Sequence, residues 1–135
     1  MNAPGFMKRL IVPPLLAPDA VVQRQLDAYN ARDVDALLAT YAPDARQFEH
    51  PDKLLATGHV EMRPRFIARF QESNLHARLL HRMVVGSTVI DHELINRTFP
   101  EGPGTLELVA IYEIRAGLIA EARFITGTKT LAARS

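Results

Sequence analysis

Four runs of strand-like residues, His76 to Val85, Thr88 to Phe99, Thr105 to Arg115 and Leu118 to Thr126, follow one another with only turns between them. The connections are Gly86-Ser87, Pro100-Glu101-Gly102-Pro103-Gly104 and Ala116-Gly117, residue types that reverse a chain within a few positions. Strands joined this tightly pair with their sequence neighbours and run antiparallel, so they form a meander with two faces. Helical patterning is confined to the residues before the meander, and those helices can cover only one of its faces. The class is therefore α+β.

The helical half begins with Val22, Leu26 and Tyr29 on one face, then Val34, Leu37, Leu38 and Tyr41 after a polar break at Asn30-Ala31-Arg32. Asp19 stands where the first helix needs an N-cap and Asp33 where the second does, while Pro43 is the expected stop of the second. The period then changes to two, and Ala45 to His50 reads as a short strand closed by Pro51, with Arg46, Phe48 and His50 on one face and Glu49 on the other. Asp52 to Thr57 reads as a loop. A third helix follows over Gly58 to Ser73 with Met62, Phe66, Ile67 and Phe70 on one side, starting in earnest near Pro64.

A chain of 135 residues is one domain that buries roughly two-thirds of its unfolded surface. Residues 1–18 read as an N-terminal arm and 128–135 as a tail. Lys8-Arg9 ahead of Leu10 to Leu16 imitates a signal peptide, but Pro13 and Pro14 interrupt the apolar stretch, so a cytoplasmic protein is expected. There are no cysteines, hence neither disulfides nor thiolate chemistry. A net charge of +1 offers no field for nucleic acid or an anionic membrane, and no apolar run is long enough for a membrane span. The histidines lack compact ligand spacing, so no metal and no cofactor is expected.

Tyr29-Asn30-Ala31-Arg32-Asp33-Val34-Asp35-Ala36-Leu37, Tyr41-Ala42-Pro43-Asp44-Ala45, Glu49-His50-Pro51 and Gly58, in that order, resemble the nuclear-transport-factor-2-like superfamily. Its relatives include ketosteroid isomerases and SnoaL-like polyketide cyclases. The resemblance implies a cone-shaped roll, in which a strongly curved antiparallel sheet wraps round three N-terminal helices and leaves a pocket at its open end. It also implies a role for His50, which occupies the place of the isomerases' proton-shuttling aspartate before a proline. Imidazole is the side chain best suited in general to such a shuttle, although a strand-end histidine can equally be tied to backbone alone. The isomerases' two acidic oxyanion donors match Gln25 and Ala110, neither of which is acidic, so steroid isomerisation is not expected.

These residues give a candidate site. His50, Tyr29 and Asp91 are the candidate catalytic groups, at the mouth of a cavity lined by Gln25, Phe48, Phe66, Ala110 and Phe124. Tyr29 follows Gln25 by one helical turn, and core packing is the competing account of it. Asp91, His92 and Glu93 interrupt the apolar run Val89 to Ile95, with Asp91 and Glu93 on one strand face. Arg78 and Arg82 on the preceding strand are possible partners for these acids, a structural alternative to chemistry. Three functions fit: general acid–base catalysis on a small hydrophobic compound, as a lyase, isomerase, hydrolase or cyclase; non-catalytic binding of one; or a dimeric interaction module, for which the cone would be filled. Val109 and Ile111 alternate with Leu106, Leu108 and Ala110, so both sheet faces are partly apolar and a homodimer through the sheet is expected.

Overall fold

The computed structural model describes residues 15–133; the expected arm lies almost wholly outside them. Helix α1 spans Pro18–Ala31, α2 Val34–Leu38 and α3 Gly58–Arg69. The strands are β1 (Tyr41–Glu49), β2 (Lys53–Thr57), β3 (His76–Val85), β4 (Thr88–Phe99), β5 (Gly102–Arg115) and β6 (Leu118–Leu131). They form one open six-stranded sheet in the order β2-β1-β6-β5-β4-β3. The meander β3 to β6 is antiparallel as its turns require. The sheet as a whole is mixed, because β1 runs parallel to β6, a non-local pairing that no turn announces.

Local chemistry explains the helical half. Ala17 rather than Asp19 is the N-cap of α1; Pro18 takes the first helical position, where its missing N–H costs nothing, and Asp19 sits in the first turn near the positive end of the dipole. The helix stops at Arg32, which is left-handed (φ 56°). Asp33 caps α2, its carboxylate accepting from the Ala36 N–H at 3.0 Å. That helix ends at Leu38, not at Pro43: Tyr41 already belongs to β1, where it pairs with Ile119. Residues 53–57, expected as loop, are β2, hydrogen-bonded to β1. Helix α3 starts at Gly58, whose φ of 75° makes the turn out of β2 and whose missing Cβ leaves room for the Pro43 carbonyl. Pro64 therefore lies inside the helix rather than at its start, on an exposed face. The expected tail also begins too early, since β6 continues to Leu131 against β5.

The core lies between the helices and one sheet face. Helix α1 packs across β3, β4, β5 and β6, and α3 packs on β1 and β2, so the helices touch every strand from the same side. Val21, Val22, Leu37, Leu38, Met62, Val89 and Ile119 are essentially inaccessible there, each worth about 1.5–3 kcal/mol of transfer free energy. Asn30 locks α1 to the edge strand by accepting from the Ala77 N–H at 2.8 Å and donating to the Ala77 carbonyl at 2.9 Å.

Candidate functional site

Alternation along β4 places Val89, Asp91, Glu93 and Ile95 on the inner face, all buried. The inner face is not filled throughout. Between α1, α3 and the strands lies a cavity of about 240 Å³, whose wall includes Gln25, Leu26 and Tyr29 from α1, Phe66 from α3, Glu93 and Ile95 from β4, and Leu108, Tyr112 and Phe124 from β5 and β6. From β1 it receives Tyr41, Gln47 and Glu49. Arg65, Arg69 and Arg97 stand at its mouth.

The inner end is a cluster of buried polar groups. The Tyr112 hydroxyl donates to Gln25 Oε1 at 3.4 Å, and Gln47 Nε2 donates to the Tyr41 hydroxyl at 3.5 Å. Both bonds are long, at the weak end of the range. Glu93, 4% exposed, makes no hydrogen bond among the described residues. Burial raises its carboxyl from an ordinary value of 4.5 to about 7; the nearby Asp91 adds to the rise and Arg82 opposes it. Burial likewise pushes the hydroxyls of Tyr29, Tyr41 and Tyr112 upward, with Arg69 pulling Tyr29 the other way. The tyrosines thus stay protonated at neutral pH, while Glu93 stands poised to take or give a proton.

Four of the expected residues, Gln25, Tyr29, Phe66 and Phe124, line this cavity; four do not. Phe48 is buried on the opposite side of β1, with the Arg46 and Arg123 guanidiniums 5.2 and 4.3 Å from its ring centre. Those cationic stems give an aromatic ring cover outside the core. The inner face of β1 therefore carries Gln47 and Glu49, which corrects the expected orientation. His50 is exposed just past the strand, its N–H donating to the Phe124 carbonyl at 2.8 Å. It is not part of the cavity wall, and the acid–base role expected of it loses its geometric basis. Ala110 is fully buried in the core between its partners Asp91 and Phe124.

Asp91 is likewise absent from the wall because Arg82 occupies it: Arg82 Nε and Nη2 donate to the two carboxylate oxygens at 2.7 and 2.9 Å, and Nη1 donates to Gln23 at 2.9 Å. Its role is structural and, through its charge, electrostatic on Glu93. The sequence singles out this face and takes Asp91 as its candidate; the carboxyl that lines the cavity is Glu93, two positions along. No group of three or more potential metal ligands exists among the described residues.

Solved structures share this architecture. They include an uncharacterised cystatin-fold protein from Novosphingobium aromaticivorans, 23% identical, covering 82% of this chain and 98% of that one with a TM-score of 0.75. A putative polyketide cyclase from Sinorhizobium meliloti is 26% identical over 81% of this chain and 99% of that one, TM-score 0.66. AclR, a putative hydroxylase from Streptomyces galilaeus, is 14% identical over 82% and 78%, TM-score 0.71. No functionally curated protein shows significant sequence similarity to the chain. The model of the SnoaL-like domain matches residues 22–122, from the first helix through the inner face of β6, and the chain belongs to that family.

Proposed function

We propose that this protein is a small-molecule enzyme that transfers protons without a cofactor, with Glu93 as the acid–base group. The observation that carries this reading is a buried carboxyl on the cavity wall, without a hydrogen-bond partner among the described residues and raised toward neutrality by burial. A group with that affinity can remove a proton at pH 7 and return it in the same turnover. Tyr41 accepts from Gln47, so its own O–H is free to donate to a substrate oxygen. Gln25 accepts from Tyr112 and its amide also reaches the Tyr41 hydroxyl, which leaves one amide N–H for the same purpose. Tyr29 adds a third donor, while Phe66 and Phe124 supply apolar walls. This set suits proton abstraction beside a carbonyl, dehydration, or acid-assisted ring opening or closure of a small hydrophobic compound. The Sinorhizobium and Streptomyces proteins, a putative polyketide cyclase and a putative hydroxylase, belong to the same broad range of small-molecule chemistry.

The test is deuterium exchange at the α-carbon of a panel of small enolisable ketones in D₂O, followed by NMR. The protein should accelerate exchange of at least one compound, with a rate limb near pH 7, and Glu93→Gln should lower that rate by about 100-fold or more. An unchanged rate in the Gln variant, or a profile flat through neutrality, would contradict the assignment.

A homodimer through the outer sheet face belongs to the same proposal. Ile90 pairs with Ile111, and Val109 lies between His92 and Ile125, which makes an apolar stripe on the side that no helix among the described residues covers. Ile125 is 36% exposed. Sedimentation at micromolar concentration should give a dimer, and Val109→Glu a folded monomer. A monomeric unmodified protein would remove the dimer without touching the cavity.

A further inference from the structure

We propose that the compound this cavity takes carries an anionic group of the carboxylate class, held at the mouth by Arg65 and Arg69, with its neutral body directed inward to Glu93. The inference rests on the reading of the cavity as a binding site for a small molecule and adds the chemical class of ligand and its orientation.

Charge is distributed unevenly along the cavity. Three guanidiniums, Arg65, Arg69 and Arg97, stand at the mouth. Arg97 is spent: its Nε and Nη2 donate to the two oxygens of Glu72 at 2.8 and 2.9 Å, and the Thr98 N–H takes a further share of that carboxylate at 2.9 Å. Arg69 keeps a loose contact to the same group, at 3.6 Å, and a hydrogen bond to the neutral Tyr29 hydroxyl, neither of which cancels its charge. Arg65 has no ion-pair partner among the described residues. The other acid at the mouth, Glu49, faces Lys53 at 3.6 Å. The mouth therefore holds positive charge that the protein does not neutralise.

Helix geometry aims that charge. Arg65 and Arg69 are four residues apart on α3, so they share a face, and Phe66 beside them enters the cavity wall. A second, shallow depression bounded by Arg65, Ala68, Arg69 and Glu72 adjoins the mouth, giving an anion two guanidiniums and open access. A carboxylate can accept from both. The inner end has the opposite character: Glu93 and the buried Asp91 make it hostile to a second negative charge, and desolvating a carboxylate there would go uncompensated. An anionic ligand therefore enters body first. At about 240 Å³ the space is below the range of roughly 300–1,000 Å³ that suits drug-sized compounds, so the body is small.

The test uses three probes of one shape: phenylpropionate, phenylpropionamide and phenylpropylammonium, titrated by NMR at low ionic strength. The carboxylate should bind about tenfold more tightly than the amide, the ammonium more weakly than either, and the preference should shrink with added salt. Arg65→Gln with Arg69→Gln should bring the carboxylate down to the affinity of the amide. Arg65→Gln alone, which breaks no ion pair among the described residues, should remove part of the preference in a protein of unaltered melting temperature. Equal binding of carboxylate and amide, tighter binding of the ammonium, or no binding by any probe would overturn the proposal. The two readings fail separately. Glu93→Gln that spares exchange sinks proton transfer but leaves the carboxylate preference standing; absence of that preference with Glu93-dependent exchange intact sinks this inference alone.

Discussion

Asp91 and Glu93 are two residues apart on the same face of the same strand, both almost inaccessible to solvent, and they are treated oppositely. The Asp91 end is closed: each carboxylate oxygen meets a nitrogen of Arg82 within 2.9 Å, and the third guanidinium nitrogen meets Gln23. At the Glu93 end the carboxyl has no partner among the described residues and a cavity in front of it. The difference arises from position. Asp91 lies directly across from Arg82 on β3, whereas Glu93 lies across from Leu79, which can offer it nothing. Burial without compensation is destabilising, so a fold that keeps one such group beside an open space bears a cost that pairing would have removed.

The comparison can be broken most severely at the paired end. Asp91→Ala should destabilise the protein by about 3–5 kcal/mol in urea unfolding, because it removes a fully buried carboxylate and leaves the partly buried Arg82 guanidinium with Gln23 alone. A loss below about 1 kcal/mol would mean that water reaches Arg82 and that this end is not closed.

A smaller effect of opposite sign is expected at the other carboxyl. The folded state raises the Glu93 pKa from 4.5 to about 7, so the folded protein binds the proton more tightly than the unfolded chain does. The favourable contribution is complete below about 4.5 and is lost as pH rises to 7. Glu93→Gln, which cannot ionise, should match the unmodified protein at pH 4 and exceed its stability above pH 7 by up to roughly 3 kcal/mol. Urea unfolding across that interval checks both limbs; a difference independent of pH would show that Glu93 is not desolvated in the fold.

The same contrast explains what the sequence discloses. The meander is legible because long alternating runs are separated by turn residues that allow few alternatives. The first two strands are not: Tyr41 satisfies the helical spacing of Leu37 and Leu38 as well as the start of a strand, and the partner that decides is Ile119, far along the chain. Lys53 to Thr57 is too short to show a period. Asp33 and the α1 face with Gln25 and Tyr29 are legible because caps and helical repeats are local. The site is legible only in part. Placing Phe48 and His50 inward follows from expecting an aromatic ring to face an apolar space, whereas Arg46 and Arg123 cover that ring from outside. For Glu93 a signal does exist. Two acids share one inner face between Val89 and Ile95, and of Arg78 and Arg82 on the preceding strand only Arg82 stands opposite one of them, which leaves the other acid over. What alternation cannot convey is that a cavity rather than a packed side chain lies in front of it.

Site-resolved ¹³C titration of the Glu93 side-chain carboxyl tests directly whether burial in the cavity wall holds it near neutrality. The expected midpoint lies near 7, moving downward when Asp91→Asn removes the neighbouring charge. A midpoint near 4.5, where an ordinary glutamate titrates, would contradict it.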